Sequence, residues 1–137
     1  MKITEFDRTR DLIIVESKIW GRGRYRDLSL AIDTAAAATV VTPYVIEWIG
    51  YTARDGTAIT TVRSAIGKEQ GYILKVARFA ALGFVFQDFE VNVFDLAAGH
   101  DIDGLIGLNF LQHFDYEIRS IAGKIAVRPA TADTASS

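Results

Sequence analysis

The chain of 137 residues has no cysteine, only two histidines and only two prolines. Without cysteine it can form no disulfide, no thiolate metal site and no thiol nucleophile, and we expect it to be cytoplasmic. His100 and His113 lie thirteen residues apart with no other ligand types clustered around them. The sequence therefore predicts neither a bound metal ion nor a cofactor.

Long apolar runs and an excess of one charge are also missing. No run is long enough to span a membrane, and the charged first twelve residues contain no apolar signal core. Fifteen basic and seventeen acidic residues give a formal charge of -2, and they form no basic stripe. We therefore expect neither a membrane nor a nucleic acid as a partner.

Hydrophobic residues, by contrast, make up 50% of the chain. A chain of this size and composition is expected to form one domain with one core. We assign that domain to residues 1–129. The small polar residues 130–137 have no hydrophobic periodicity and are expected to be a flexible tail.

Alternating β-branched and aromatic residues predict a mostly β structure. Segment 84–96 is predicted to be one long strand or two strands joined at a bulge near Asp88. A short helix is predicted from Pro43, capped by Thr42 and ended by Gly50, and another from Leu108 to about residue 114. The other predicted strands are 12–20, 25–33, 39–42, 58–66, 72–82, a short buried strand before Gly107, and a hairpin within 114–129.

One acid, Asp33, stands in the otherwise apolar stretch "SLAIDTAAAATVVTP" of residues 29–43. A buried, unpaired carboxylate is costly, so an acid at such a place is usually hydrogen-bonded or used in chemistry. Taken alone, Asp33 fits a turn or helix-cap aspartate at the end of a strand. About seventy residues later, "DGLIGLNFL" places two aliphatic residues and Gly107 before the second predicted helix.

Together these two segments resemble the single-domain, retropepsin-like aspartic proteases, a family with retroviral and bacterial members. The resemblance covers about residues 10–129. Asp33, Thr34, Ala35 and Ala36 stand where the family has Asp-Thr-Gly-Ala, and residues 103–111 fit its second motif. The resemblance implies an all-β, closed barrel with one or two short helices that works as a homodimer.

The chemistry of such a protease needs two carboxylates. Amide hydrolysis without a metal requires one group to take a proton from water and another to give one to the substrate carbonyl. Two carboxylates sharing one proton do both. This chain supplies one, so Asp33 of each subunit would meet on the two-fold axis. The resemblance implies that the Thr34 hydroxyl forms a hydrogen bond across the dimer. We therefore expect an aspartic endopeptidase acting on peptides or proteins with apolar side chains.

The chain departs from the family pattern in its active-site loop. Ala35 replaces a glycine where backbone, acids and substrate crowd together. Ala37 and Leu108 occupy positions that often carry an acid and an arginine in the retroviral enzymes. Two other interpretations therefore stand beside the enzyme: a catalytically silent dimer that binds peptides, and a plain dimerisation module.

Three further expectations concern the substrate groove and the dimer. The segment "SAIGKEQG" resembles the flap that closes over substrate, with a tip formed by "GKEQG" and with Ile66 and Gly67 near it; a solvated β-turn is the alternative. Ile106 is expected to line the groove. The segments "LIIVESKIW" and "KIAVRP" are predicted to be apolar edge strands that dimerisation covers.

Overall fold

A computed structural model of the chain describes residues 1–64, 67–96 and 101–129. Within these residues there are ten strands, two α-helices and a short 3-10 helix, Ala53–Asp55. The strands are β1 (Lys2–Glu5), β2 (Ile14–Trp20), β3 (Tyr25–Ile32), β4 (Val40–Val41), β5 (Ala58–Ser64), β6 (Gly67–Ala81), β7 (Phe84–Val93), β8 (Gly104–Ile106), β9 (Phe114–Arg119) and β10 (Lys124–Pro129). The helices are α1 (Pro43–Trp48) and α2 (Leu108–Leu111).

Six strands close into a barrel in the order β2, β3, β8, β4, β7 and β6. The barrel closes because β6 pairs with β2 as well as with β7, and β5 extends the sheet beyond β6. Inward side chains on alternate residues form the core. Phe79 stacks on Phe89 with ring centroids 4.9 Å apart, and Phe110 of α2 meets Phe79 edge-on at 5.5 Å. The all-β closed barrel with two short α-helices is confirmed.

The two helices lie close to where the sequence predicts them. Pro43 opens α1 after Thr42, and Gly50 follows its end at a φ of 99°. Thr42 is the N-cap residue, as predicted, but its side chain makes no cap hydrogen bond. Helix α2 stops at Leu111, before the predicted end, because the next strand, β9, already begins at Phe114.

A second sheet has the order β1, β10, β9. Segment "KIAVRP" is β10, at the centre of this sheet, and "LIIVESKIW" contains β2, which pairs with both β3 and β6. The prediction that these two segments are edge strands is therefore wrong. The outer strands of the second sheet are β9 and β1, and β1 escapes prediction because four residues give too short a pattern.

The hairpin of β5 and β6 differs from its predicted form. Segment "GKEQG" was predicted as its tip, but residues 67–71 lie inside β6, with Gly67 opposite Ser64 and Gly71 opposite Thr60. That prediction is wrong. The connection, residues 65–66 with Ile66, lies outside the described residues. Gly71 is required for packing, because a side chain there would collide with the Val93 carbonyl.

Strand β7 is one long strand, the first of the two predicted alternatives. Asp88 has a φ of 49°, and the ladder skips its pair with β6. The register is nevertheless the same on both sides, with Val76 opposite Phe89 and Arg78 opposite Gln87, so no residue is inserted.

Helices in the described part of the chain have at most six residues. None of them is long and apolar enough to cross a membrane. The predicted tail, residues 130–137, lies outside the described residues.

Candidate active site

The acid-bearing loop is shaped by the order of three strands. Strand β8 lies between β3, to which it is parallel, and β4, to which it is antiparallel. The chain that leaves β3 must therefore pass the end of β8 before it enters β4. Residues 33–39 make this passage, and we call them the acid loop. Residues 107–109, which follow β8, are here called the support turn.

Asp33 is the first residue of the acid loop. Its backbone N–H donates to the Ile106 carbonyl at 3.0 Å, which continues the pairing of β3 with β8. Its Oδ1 accepts a hydrogen bond from the Ala35 N–H at 3.0 Å. Among the described residues, Oδ2 accepts none. Asp33 is thus a turn aspartate by geometry, yet it is only half-buried and keeps one carboxylate oxygen available.

The residues after Asp33 lie mostly at the surface. Thr34 and Ala35 are exposed and Ala36 is half-buried. Within the described residues, the Thr34 hydroxyl has no hydrogen-bond partner. Ala35 is not among the non-glycine residues with positive φ. The backbone torsions of this loop therefore do not require a glycine at position 35.

Backbone hydrogen bonds join the acid loop to the support turn. The Leu108 N–H donates to the Ala36 carbonyl at 2.8 Å, and the Asn109 N–H donates to the Ala37 carbonyl at 3.1 Å. The side chains of Ala37 and Leu108 are both exposed. Backbone hydrogen bonds therefore hold the two loops together at Ala37 and Leu108, the positions that often form an ion pair in the retroviral enzymes.

Within the described residues, Thr39 and Asn109 form the one side-chain link between the two loops, and sequence reasoning assigned no role to either. Thr39 is completely buried. Its hydroxyl donates to Asn109 Oδ1 at 2.7 Å and accepts from the Gly107 N–H at 3.2 Å. The Thr39 N–H donates to the same Oδ1 at 2.8 Å, and Asn109 Nδ2 donates to the Glu90 carbonyl at 2.8 Å.

In this link the buried Thr39 hydroxyl both donates and accepts a hydrogen bond, and the Thr39 N–H also has an acceptor. The end of the acid loop is therefore fixed without an unpaired donor. A sequence signal for it exists. Asn109 is a lone amide in the apolar run "LIGLNFL", and such an amide needs several partners.

Gly107 allows the two loops to approach. A Cβ at this position would lie 2.9 Å from the Ala36 carbonyl oxygen and still closer to the Ala38 carbonyl. The backbone of Gly107 has a φ of -102°, which other residues adopt without strain. Glycine is therefore needed here for close approach and not for its backbone torsions.

The remaining predicted site residues lie elsewhere. The Ile106 side chain is completely buried in the core, and this residue meets the acid loop through its carbonyl. Gly67 begins β6 opposite Ser64, and Ile66 lies outside the described residues. Of the predicted set, the structure brings together Asp33, Thr34, Ala35, Ala36 and the backbone of Ile106.

A cavity of about 390 Å³ lies at the base of the β5–β6 hairpin, and Ile59, Gly71 and Tyr72 contribute to its wall. Burial raises the pKa of the Tyr72 phenol, and the charges of Glu47 and Asp55 raise it further. The phenol therefore stays protonated in acidic and neutral solution, where it can donate a hydrogen bond. In the described parts of the chain, no group of three or more histidine, aspartate or glutamate residues is arranged to hold a metal ion.

A family model and a solved structure each match most of the chain. A family model described as aspartyl protease matches residues 15–110. The crystal structure of a retropepsin-like aspartic protease from Rickettsia conorii is similar with a TM-score of 0.68 and 16% sequence identity, covering 91% of this chain and 87% of that chain. No curated protein matches the sequence. At this identity, the structural likeness shows a shared retropepsin-like fold.

Proposed function

The chain belongs to the aspartyl protease family, and from this premise we propose that it is an endopeptidase active as a homodimer. The acid loop presents one carboxylate, and the family chemistry needs two. A second copy of the chain supplies the other when the two Asp33 side chains meet on a two-fold axis. Each chain is then half of an active site.

In the proposed reaction, the paired acids share one proton because two like charges about 3 Å apart cannot both ionise. The ionised Asp33 takes a proton from a water molecule, which attacks the carbonyl carbon of the peptide. The protonated Asp33 of the other chain donates to the carbonyl oxygen. The Asp33 that took the proton from water then donates it to the amide nitrogen, and the C–N bond breaks.

The observation that carries this proposal is the state of the Asp33 carboxylate. One oxygen is held by the Ala35 N–H, and the backbone behind it is fixed to Ile106. The second oxygen has no partner in the described residues. An acid whose backbone is fixed and whose second carboxylate oxygen has no partner is suited to meet another acid and a water molecule.

Thr34 fits a positioning role in the same dimer. Its side chain is exposed in the single chain, and its hydroxyl is without a partner among the described residues. We assign it to a hydrogen bond with the acid loop of the other subunit, which keeps the two carboxylates coplanar. The β5–β6 hairpin, with Ile66 and Gly67 near its tip, is assigned to closure over the substrate.

A mixing experiment tests the shared site. Wild-type and Asp33→Asn chains are unfolded, mixed in equal amounts and refolded together, and cleavage of an apolar peptide library is measured. If both chains must supply an acid, about a quarter of the dimers keep two Asp33 residues and activity falls to about a quarter. A site complete in one chain would instead retain about half, and this result would contradict the proposal.

Three further measurements support the interpretation of that experiment. Sedimentation of the wild type at micromolar concentration should give twice the chain mass of 15.1 kDa. Asp27→Asn is the matched control, because Asp27 is an exposed acid on β3, the strand that leads to Asp33. It should leave activity unchanged. Activity should be highest in mildly acidic solution, where the acid pair holds one proton.

A silent, peptide-binding dimer is the second candidate, and Ala35 is the observation that favours it. Its exposed methyl group stands beside Asp33, in the position where family members have glycine. A dimer that binds peptides in its groove but cleaves none between acidic and neutral pH would establish this function and exclude the protease.

A further inference from the structure

A cluster of arginines and aromatic side chains lies at the end of β3 opposite to Asp33. It consists of Arg24, Arg26, Tyr44 and Trp48, and we call it the arginine–aromatic patch. Tyr44 is 63% exposed and Trp48 is 46% exposed, although both belong to a helix whose Val45 is completely buried. Large aromatic side chains that are exposed to solvent on one helix face indicate an interaction surface.

The arginines lie against the aromatic rings of this patch. The Arg26 Cζ is 4.9 Å from the Tyr44 ring centroid and 5.5 Å from that of Trp48. The Arg24 Cζ is 5.5 Å from the Trp48 centroid, and its Nη1 donates to the Trp48 carbonyl at 3.4 Å. A guanidinium placed over a ring still has N–H groups at its edge that can bind a carboxylate in bidentate fashion.

These two charges differ from that of their neighbour Arg22. Arg22 donates to Asp55 Oδ1 at 2.7 Å and forms a salt bridge. Neither Arg24 nor Arg26 has a carboxylate oxygen within 4.0 Å in the described part of the chain. Glu47, on the same helix, acts on Tyr72, whose pKa its charge raises. The patch therefore presents two arginines that form no salt bridge within the described residues, on a chain whose net charge is negative.

We propose that the arginine–aromatic patch binds an acidic segment of another protein, whose carboxylates pair with Arg24 and Arg26. Arginine, tyrosine and tryptophan are the residues that dominate binding energy at protein interfaces. A single-stranded nucleic acid fits less well, because it binds through bases stacked on free aromatic faces. Here guanidiniums lie over the rings of Tyr44 and Trp48.

The patch is separate from the acid loop. Arg26 and Asp33 are seven residues apart on an extended strand, which corresponds to about 23 Å. An acidic segment bound at the patch would leave the carboxylate of Asp33 free. Binding at the patch can therefore be measured whether or not the chain cleaves peptides, so failure of one proposal leaves the other intact.

The test uses a fluorescein-labelled decapeptide with six glutamates and a matched peptide with six glutamines, followed by fluorescence anisotropy at low salt. The glutamate peptide should bind, and the glutamine peptide should not. In the double variant Arg24→Gln/Arg26→Gln, the affinity should fall at least about tenfold, because charge-assisted hydrogen bonds are lost. Lys75→Gln, an exposed lysine on β6, is the matched control and should retain wild-type affinity.

A second readout locates the binding and does not depend on Arg26, which is half-buried. In a Trp20→Phe background, Trp48 is the remaining tryptophan, and its fluorescence should change when the glutamate peptide is added. Arg24→Glu, a reversal at an exposed residue, should abolish that change while thermal unfolding stays as in the wild type.

Three outcomes would overturn the proposal. The first is equal loss of affinity in the double variant and in Lys75→Gln, which indicates a general charge effect. The second is a ten-residue oligothymidine that binds at the patch more tightly than the glutamate peptide at the same salt concentration. The third is a double variant that sediments as a monomer where the wild type is a dimer, which would assign the patch to self-association.

Discussion

The acid loop and the support turn meet at the same site, but they differ in burial and in hydrogen bonding. Within one chain, the support turn is well packed and bonded, and the acid loop is largely exposed. Gly107 is buried and the Asn109 side chain is hydrogen-bonded through both Oδ1 and Nδ2, whereas Thr34 and Ala35 are exposed. The Asp33 carboxylate accepts a single hydrogen bond among the described residues. The difference indicates that folding of one chain fixes the backbone of the acid and leaves its second carboxylate oxygen without a partner among the described residues.

From this contrast we expect changes in the support turn to reduce stability and changes in the acid loop to reduce activity. Gly107→Ala tests the first half most strongly. The added methyl group would overlap the Ala38 carbonyl, so the loops must separate, and we expect a loss of about 3 kcal/mol in the free energy of unfolding. Urea denaturation measures it.

Asp33→Ala is the paired control for Gly107→Ala. It removes one exposed hydrogen bond and should change the free energy of unfolding by no more than about 0.5 kcal/mol. Equal stability of the two variants would contradict the contrast between the loops.

Asn109→Ala should have the next largest effect. It leaves the buried Thr39 N–H and hydroxyl without their acceptor, and we expect a loss of about 2 kcal/mol. A double-mutant cycle with Thr39→Val should give a coupling of about 1 kcal/mol, and Thr39→Ser, which keeps the hydroxyl, should remain close to the wild type. Additive losses would show that the two side chains do not act together.

Ala35→Gly addresses the acid loop, and its effect on stability should be smaller. Greater freedom of the unfolded chain should cost about 0.5 kcal/mol. Cleavage of apolar peptides should become faster, by up to about a hundredfold if the methyl group displaces the acids by about 1 Å. Asp33→Asn should abolish cleavage in both backgrounds. A rate unaffected by Ala35→Gly would mean that the methyl group does not crowd the acid pair.

In contrast to Asp33, Asp55 has hydrogen-bond partners for both carboxylate oxygens within its own chain. We expect the smallest effect on stability at this residue. The backbone N–H of Thr52, with Arg22, lowers the pKa of Asp55 below its ordinary value of 3.8. A lowered folded-state pKa stabilises the fold above the unfolded value, and this contribution is lost as the pH falls through the folded-state pKa. Stability should therefore fall more steeply below about pH 4 in the wild type than in Asp55→Asn. Thermal unfolding at several pH values measures this, and parallel curves would contradict it.

Patterns within one segment predicted much of this molecule. The strand before Asp33, the helix that begins at Pro43 and the turn at Gly107 each have a local signal in turn residues or in β-branched content. These signals were sufficient to place the acid at the end of a strand and to predict an all-β domain.

Features that depend on distant contacts were missed. The glycines of "GKEQG" suggested a turn, but Gly71 is glycine because β6 passes close to Val93. Strands β2 and β10 have apolar residues because both are interior strands, a fact that apolar content alone does not separate from a covered edge. The role of Asn109 follows from partners in β7 and in the acid loop, which the sequence around it does not reveal.

The link between Thr39 and Asn109 also sets an order of events during synthesis, because these residues are 70 positions apart. At a translation rate of about 5–20 residues per second, Asn109 is added on the order of 4–14 seconds after Thr39. Until then the acid loop lacks the partners that fix it. A ribosome-bound chain thus carries Asp33 before its loop is fixed, and the peptidase activity proposed above has to wait for most of the chain to be made.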